Sequence, residues 1–369
     1  MYSESDLEGA VAAGALTSQQ AAAFRDYVAA GRHTPVADEE HFRLLTGFND
    51  IFVGIAAVIL LVAVAWIGHY VGPHIEFEGP SPTSGLLVAA TAWGLAEFFT
   101  RQRRMALPSI ILLLAFVGGV FAATAFGSII ALNLEETENA RTSTFILVGS
   151  AALAAGAAWL HWRRFRVPIT VAAGVGALVA LVLGLVASAF AGPDMSEPQI
   201  ETMRQAMEVG ALLLGIGVFL FAMRWDSSDP RRETRRSDVA FWLHLLAAPL
   251  IVHPVFSLLG LSEGAATALD GAVVILLYVI LGLVAVAIDR RALLVSALAY
   301  VLYALNSLFR EYGAVELSVA LTALVIGSAL LLLSAFWSNA RRAVVRPLPE
   351  GLRTRLPVVD RVSAQPVPA

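Results

Sequence analysis

Apolar residues gather into ten runs, at 51–71, 84–100, 107–127, 144–162, 168–190, 206–224, 239–260, 267–288, 292–309 and 315–337, and polar residues are concentrated in the breaks between them. About twenty apolar residues carry a helix across roughly 30 Å of hydrocarbon. Backbone groups in lipid must bond within their own segment, so the pattern predicts an all-α fold, a polytopic transmembrane bundle of ten spans. An even number of spans puts both termini on one side.

The breaks alternate in charge. After the even-numbered runs stand Arg101, Arg103 and Arg104; Arg163, Arg164 and Arg166; Arg231, Arg232, Arg235 and Arg236; Arg290 and Arg291; and Arg341 with Arg342. The other breaks carry Glu76 and Glu78, Glu135, Glu136 and Glu138, Asp194 and Glu197, and Glu263. With the terminal segments included, 22 of the 25 arginines fall on the first side and three (Arg141, Arg204, Arg310) on the second. The excess of cationic residues marks the cytoplasmic side, which predicts two cytoplasmic termini. Trp159, Trp162, Trp225, Trp242 and Trp337 lie beside the arginine turns, as interfacial indoles do, while Trp66 and Tyr70 mark the opposite face.

Two segments lie outside the bundle expected over 49–338. In the first, 1–48, Asp6 to Ala13 and Gln19 to Ala30 read as short helices broken at Gly14-Ala15-Leu16. Thr17 and Gln20 have capping-box spacing, and Leu16, Phe24, Tyr27 and Val28 supply apolar contacts for a cytoplasmic hairpin. Gly31 to Ala37 reads as a linker to an interfacial helix at Asp38 to Thr46. The second, 339–369, is rich in arginine and proline and is expected to be a disordered cytoplasmic tail.

Composition narrows the chemistry. At 58% hydrophobic, 15% charged and mean hydropathy +0.73, the 369 residues are too apolar for a soluble domain. The absence of cysteine excludes disulfides, thiolate metal sites and thiol nucleophiles, and the absence of lysine excludes Schiff-base chemistry. Arginine as the sole long cation fits a GC-rich bacterial genome, hence a bacterial inner membrane. The arginine turns are too short to form a nucleic-acid face, so no nucleic-acid partner is expected. No cofactor or metal is implied: Met195, Met203, Met207, His69 and His74 share one side but lack the spacing of a copper site.

The opening segment Leu7…Gly14-Ala15-Leu16-Thr17-Ser18-Gln19-Gln20-Ala21, followed by a short linker and many spans, resembles a domain-of-unknown-function family of bacterial membrane proteins that begin with a Gly-apolar-Leu/Ile-Thr-x-x-Gln-Ala hairpin. The resemblance implies the architecture and carries no activity.

Polar residues inside hydrocarbon are costly and usually face a bundle interior or a water cavity. On the ninth run Ser296, Tyr300, Tyr303, Ser307 and Arg310 form one stripe at 4-3-4-3 spacing with Asn306 beside it, opposite Leu294, Ala297, Val301 and Leu305. The seventh run holds His244, Pro249, His253 and Pro254, whose prolines free the carbonyls of Leu245 and Leu250. Nine residues separate the two histidines, half a turn out of phase, so they share no ligand on a regular helix. His253, Tyr300, Tyr303, Asn306 and Arg310 therefore compose a candidate polar cavity; the alternative is hydrogen bonding that fixes helix packing. Glu97, four residues before Arg101, is expected to pair with it. Ala152, Gly156, Gly174, Gly176 and Gly184 predict tight packing of the fourth and fifth spans.

Two functions fit. One is a permease-like protein binding or moving a small solute through spans seven to nine. The other is a membrane scaffold or regulator that recruits a cytoplasmic protein through the N-terminal hairpin. An enzyme is disfavoured, since no paired acids, metal-ligand spacing or Ser/His/Asp set stands out.

Overall fold

The computed structural model describes residues 4–31, 48–75, 79–133, 140–192, 195–230, 232, 234–259, 268–291, 294–295, 298, 301–302 and 318–359, and they contain helices and no strand. The chain divides into two compact units, Met1–Phe42 with Val358–Ala369, and Arg43–Pro357.

The first unit carries α1 (Glu4–Ala12) and α2 (Ser18–Gly31), separated at Gly14, whose φ of +72° closes the break. The capping box forms as its spacing predicts. The Thr17 amide donates to Gln20 Oε1 at 2.9 Å, and the Gln20 amide donates to Thr17 Oγ1 at 3.1 Å. Leu7 and Ala21 are buried, and Phe24, expected in the apolar contact, is 43% exposed.

The second unit is a helical bundle: α3 (Phe48–Val71), α4 (Pro82–Ala96), a π-helical turn (Glu97–Gln102), α5 (Ala106–Ala131), α6 (Ala140–Phe165), α7 (Ile169–Phe190), α8 (Glu197–Ser227), α9 (Arg235–Leu258), α10 (Ala268–Ile288), α11 (Ser318–Ala335), α12 (Trp337–Val345) and α13 (Glu350–Arg353). Six described helices, α3 and α5 to α9, are long and apolar enough to cross a membrane, as expected of a multi-pass membrane protein. A seventh crossing results if α11 and α12, bent by 74° at Phe336, count as one. α4 has only 15 residues before its π-turn, and most of the expected ninth span lies outside the described residues. Part of the tail expected to be disordered from 339 is helical, over α12, where Trp337, Arg341 and Val345 recur every four residues and bury one face, and over the short α13, which buries no residue.

Small residues set the closest approaches. Gly85, Ala89, Ala92 and Ala96 form a buried stripe on α4. A Cβ added at Gly85 would lie 2.5 Å from the Ala123 amide nitrogen and 2.6 Å from the Gly119 carbonyl oxygen of α5. The prediction for spans four and five holds only in part. Gly184 abuts Val148 across the α6–α7 contact and Gly174 meets Ala158, but Gly156 faces open space. Counting small residues does not reveal which face they occupy; their 4-3-4 spacing on α4 does.

Four cores are present among the described residues, the fourth being Val252, Phe256, Val274 and Val301; the first three follow in chain order. Leu61, Ala92, Leu112 and Phe116 centre the first, within α3 to α5. Val179, Val218, Val239 and Leu243 centre the second, within α7 to α9. The third joins α9 and α10 to Trp337 through Ala248, Ala285 and Ile288. Helices end without glycine at Arg104, Arg166 and Asp289, and the α8–α9 turn bends at Arg232, all with φ between 52° and 57° in the left-handed region.

Candidate functional site

Of the expected cavity residues, Tyr300, Tyr303, Asn306 and Arg310 lie outside the described residues. Leu294 and Val301, opposite the stripe, are buried in the core. His253 is described and is 59% exposed, its Nε2 3.5 Å from Glu208 Oε1 on α8. Nearby, Arg204 pairs with Glu201 at 2.9 Å and donates to Ser257 Oγ at 3.2 Å, so this end of the α8–α9 hairpin is polar.

The expectation of an open carbonyl at the proline bend is corrected for Leu250. Pro254 deprives that carbonyl of its helical donor. The backbone of Gly215 on α8 covers it: a Cβ added at Gly215 would lie 2.8 Å from the Leu250 carbonyl carbon and 2.9 Å from its oxygen. α9 remains helical through both prolines. At Leu250 itself a glycine backbone therefore lies close against the freed oxygen. His244 meets Asp226 and His253 meets Glu208, each a carboxylate of α8.

The most concentrated chemistry lies at the arginine-rich end of α8, α9, α10 and α12. Asp226, in the last turn of α8, accepts from His244 Nε2 at 3.0 Å and Arg290 Nε at 3.2 Å on Oδ2, while Arg290 Nη2 bonds its Oδ1. That Nη2 also donates to the Ser237 carbonyl at 3.1 Å. Asp289, next in sequence to Arg290, accepts from Arg232 Nη1 at 2.7 Å and Trp337 Nε1 at 2.6 Å, with Arg341 Nη1 at 3.7 Å. Arg232 donates further to the Ile288 and Asp289 carbonyls, and Arg341 to the Pro357 carbonyl at 2.6 Å. Asp229 accepts from the Thr234 amide and hydroxyl at 2.9 and 2.7 Å, which ties the α8–α9 turn.

Among the described residues Asp226 pairs with Arg290, Asp289 with Arg232 and Arg341, and Asp229 bonds Thr234, and all six charged groups are buried or nearly so. Counted over these described residues, the three aspartates and three arginines balance when His244 is neutral. An ionised Asp226 can only accept, so His244 carries its proton on Nε2. Its Nδ1 is buried with no hydrogen-bond partner. A second proton there would be an unsatisfied donor and would give the cluster one net positive charge.

Two further polar features stand in the other half. Glu97 pairs with Arg101 at 3.3 Å as expected, and its carboxylate also takes a two-pronged bond from Arg164 of α6 at 2.7 and 2.9 Å. The π-helical turn, in which Arg103 bonds back to Phe98, turns Glu97 toward both partners. His161, fully buried, sits among Trp93, Phe116 and Phe165, its Nδ1 3.3 Å from Thr170 Oγ1.

Sequence reasoning counted Arg232, Arg290 and Arg341 only as markers of the cytoplasmic side, and passed over Asp226, Asp289 and His161. The signal for the first two is an acid set against the arginines it neutralises, Asp226 and Asp229 before Arg231-Arg232 and Asp289 before Arg290. Among the described residues no cluster of His, Asp or Glu could hold a metal ion. No family model, curated protein or solved structure matches the chain. The resemblance of the N-terminal hairpin motif rests on its own residues.

Proposed function

We propose that this chain is a ten-span, permease-like protein of a bacterial inner membrane, both termini cytoplasmic, in which proton binding on the α8–α9 hairpin is linked to passage of a small solute through spans seven to nine. The observation that carries the reading is the buried His244–Asp226 pair inside a charge-balanced cluster. Ionisable groups buried inside a membrane protein face its interior and often mark ion or solute paths. At the other end of the same two helices, His253 and Glu208 form a second pair, with Nε2 3.5 Å from Oε1. A proton reaching His244 unbalances the cluster and loosens the seam that Asp226, Arg290 and Trp337 hold between α8–α9 and α10–α12. That seam is then the gate at the arginine-rich end.

The test is charge displacement in proteoliposomes on addition of amino acids, sugars, organic cations and organic anions in turn, with a pH gradient. At least one class should evoke a current that is lost in His244→Gln and Asp226→Asn. Silence toward every class, or currents unchanged in folded variants, would remove the proposal.

A scaffold role for the N-terminal hairpin is the second reading, favoured by the separate compact unit that Met1–Phe42 enters. Deleting 1–34 separates the two. Transport by the truncated protein supports the permease and assigns the hairpin to another task. Loss of transport with an intact bundle makes the hairpin part of the machinery.

A further inference from the structure

The end of α8 and the start of α9 border a cleft lined by Phe221, Arg224, Trp225, Ser228 and Arg236. Neither guanidinium is bonded to another described residue, and both are exposed. The described acids beside them have other partners: Asp226 is buried against His244 and Arg290, Asp229 is held by Thr234, and Asp238 has an interaction of its own. Ser228 spends its hydroxyl proton on the Trp225 carbonyl at 2.7 Å. The cleft therefore offers two unpaired cations over an aromatic floor in which Phe221 meets Trp225 edge-on at 6.2 Å. Below it, on the same face of α8, Leu213, Ile216 and Leu220 are exposed, and Gly217 leaves open space where a side chain would stand. A cationic head and an apolar groove thus run continuously down one helix.

We propose that this surface binds one anionic phospholipid, with its phosphate between Arg224 and Arg236 and an acyl chain along α8 over Gly217. Charge complementarity selects the headgroup. Two unpaired guanidinium groups favour a net-negative headgroup and repel the choline or ethanolamine cation of a zwitterionic one. The groove selects a lipid over a soluble phosphate, because the apolar contact requires a chain. The site depends on the membrane setting of α8 and is independent of transport.

Full-length protein in detergent is titrated with phosphatidylglycerol or with phosphatidylcholine of the same chains, and retained lipid is counted by native mass spectrometry. One phosphatidylglycerol should persist where phosphatidylcholine does not. Each arginine near a membrane surface contributes about 1 kcal/mol, so Arg224→Gln or Arg236→Gln should weaken retention about fivefold and the double variant about thirtyfold. Gly217→Leu should weaken it with both arginines present. Both arginines are exposed, so their replacement spares the fold, which thermal unfolding of each variant checks. Equal retention of the two lipids, retention unchanged in the folded double variant, or displacement by soluble glycerol phosphate as effective as by phosphatidylglycerol would each overturn the proposal.

Discussion

Replacing Asp226 with Asn removes one charge from a buried, balanced cluster and leaves the shape nearly unchanged. Arg290 keeps its bond to the Ser237 carbonyl but loses a carboxylate that it meets through both Nε and Nη2. The guanidinium is 3% exposed, so water cannot take the carboxylate's place. Removing one partner of a buried pair costs about 3–5 kcal/mol, most of it the uncompensated charge left behind. His244 Nε2 retains an acceptor in the Asn amide oxygen and adds little. Arg290→Gln should be similarly damaging, since it strands Asp226 with only His244. The double variant restores neutrality and should lose less than the sum of the singles, with a coupling of up to about 3 kcal/mol. Reversible unfolding in mixed micelles, followed by tryptophan fluorescence, gives the four free energies. If Asp226→Asn lies within about 1 kcal/mol of the parent, or the two changes add without coupling, then the cluster is solvated and the reasoning about its neutrality fails.

Gly215→Ala should destabilise the bundle by about 1–3 kcal/mol in the same assay, because the new methyl meets the Leu250 backbone and neither helix can yield locally; an unchanged midpoint would mean that α8 and α9 are farther apart. A periplasm-active reporter fused after Glu136 or Glu197 should be active and one after Arg103, Arg235 or Arg342 silent, and reversal at any turn would break the ten-span threading there. Cysteine introduced at Tyr303 or Asn306 of this cysteine-free chain should react with a membrane-impermeant thiol reagent if the ninth span lines a polar cavity, and protection of both in folded protein would assign those side chains to packing.

Local signals in the sequence translated well. Thr17 and Gln20 close a capping box and Glu97 meets Arg101, because three- and four-residue spacings determine geometry within one helix. The apolar runs located most helices for the same reason. Pairings between helices were illegible. Asp226 finds Arg290 across 64 residues and Arg164 finds Glu97 across 67, and no periodicity carries that register. The covered carbonyl of Leu250 shows the same limit. Pro254 reveals in sequence that a donor is missing, but not that Gly215 of another helix will lie against the oxygen. The tail over α12 was misread because its arginines suggested solvent, whereas Arg341 is drawn inward by Asp289 and the Pro357 carbonyl.

The length of those separations also sets a timetable. A ribosome adding about 5–20 residues per second delivers Arg290 some three to thirteen seconds after Asp226, given the 64 residues between them. Trp337 follows Asp289 after 48 more residues. During synthesis Asp226 must therefore wait at the end of α8 without its permanent partner, and it can do so only in water at the interface. The Asp289 half of the cluster closes last, when α12 emerges: a chain that ends before Arg290 leaves Asp226 with His244 alone, and one that ends before Trp337 leaves Asp289 with Arg232 but without its indole donor.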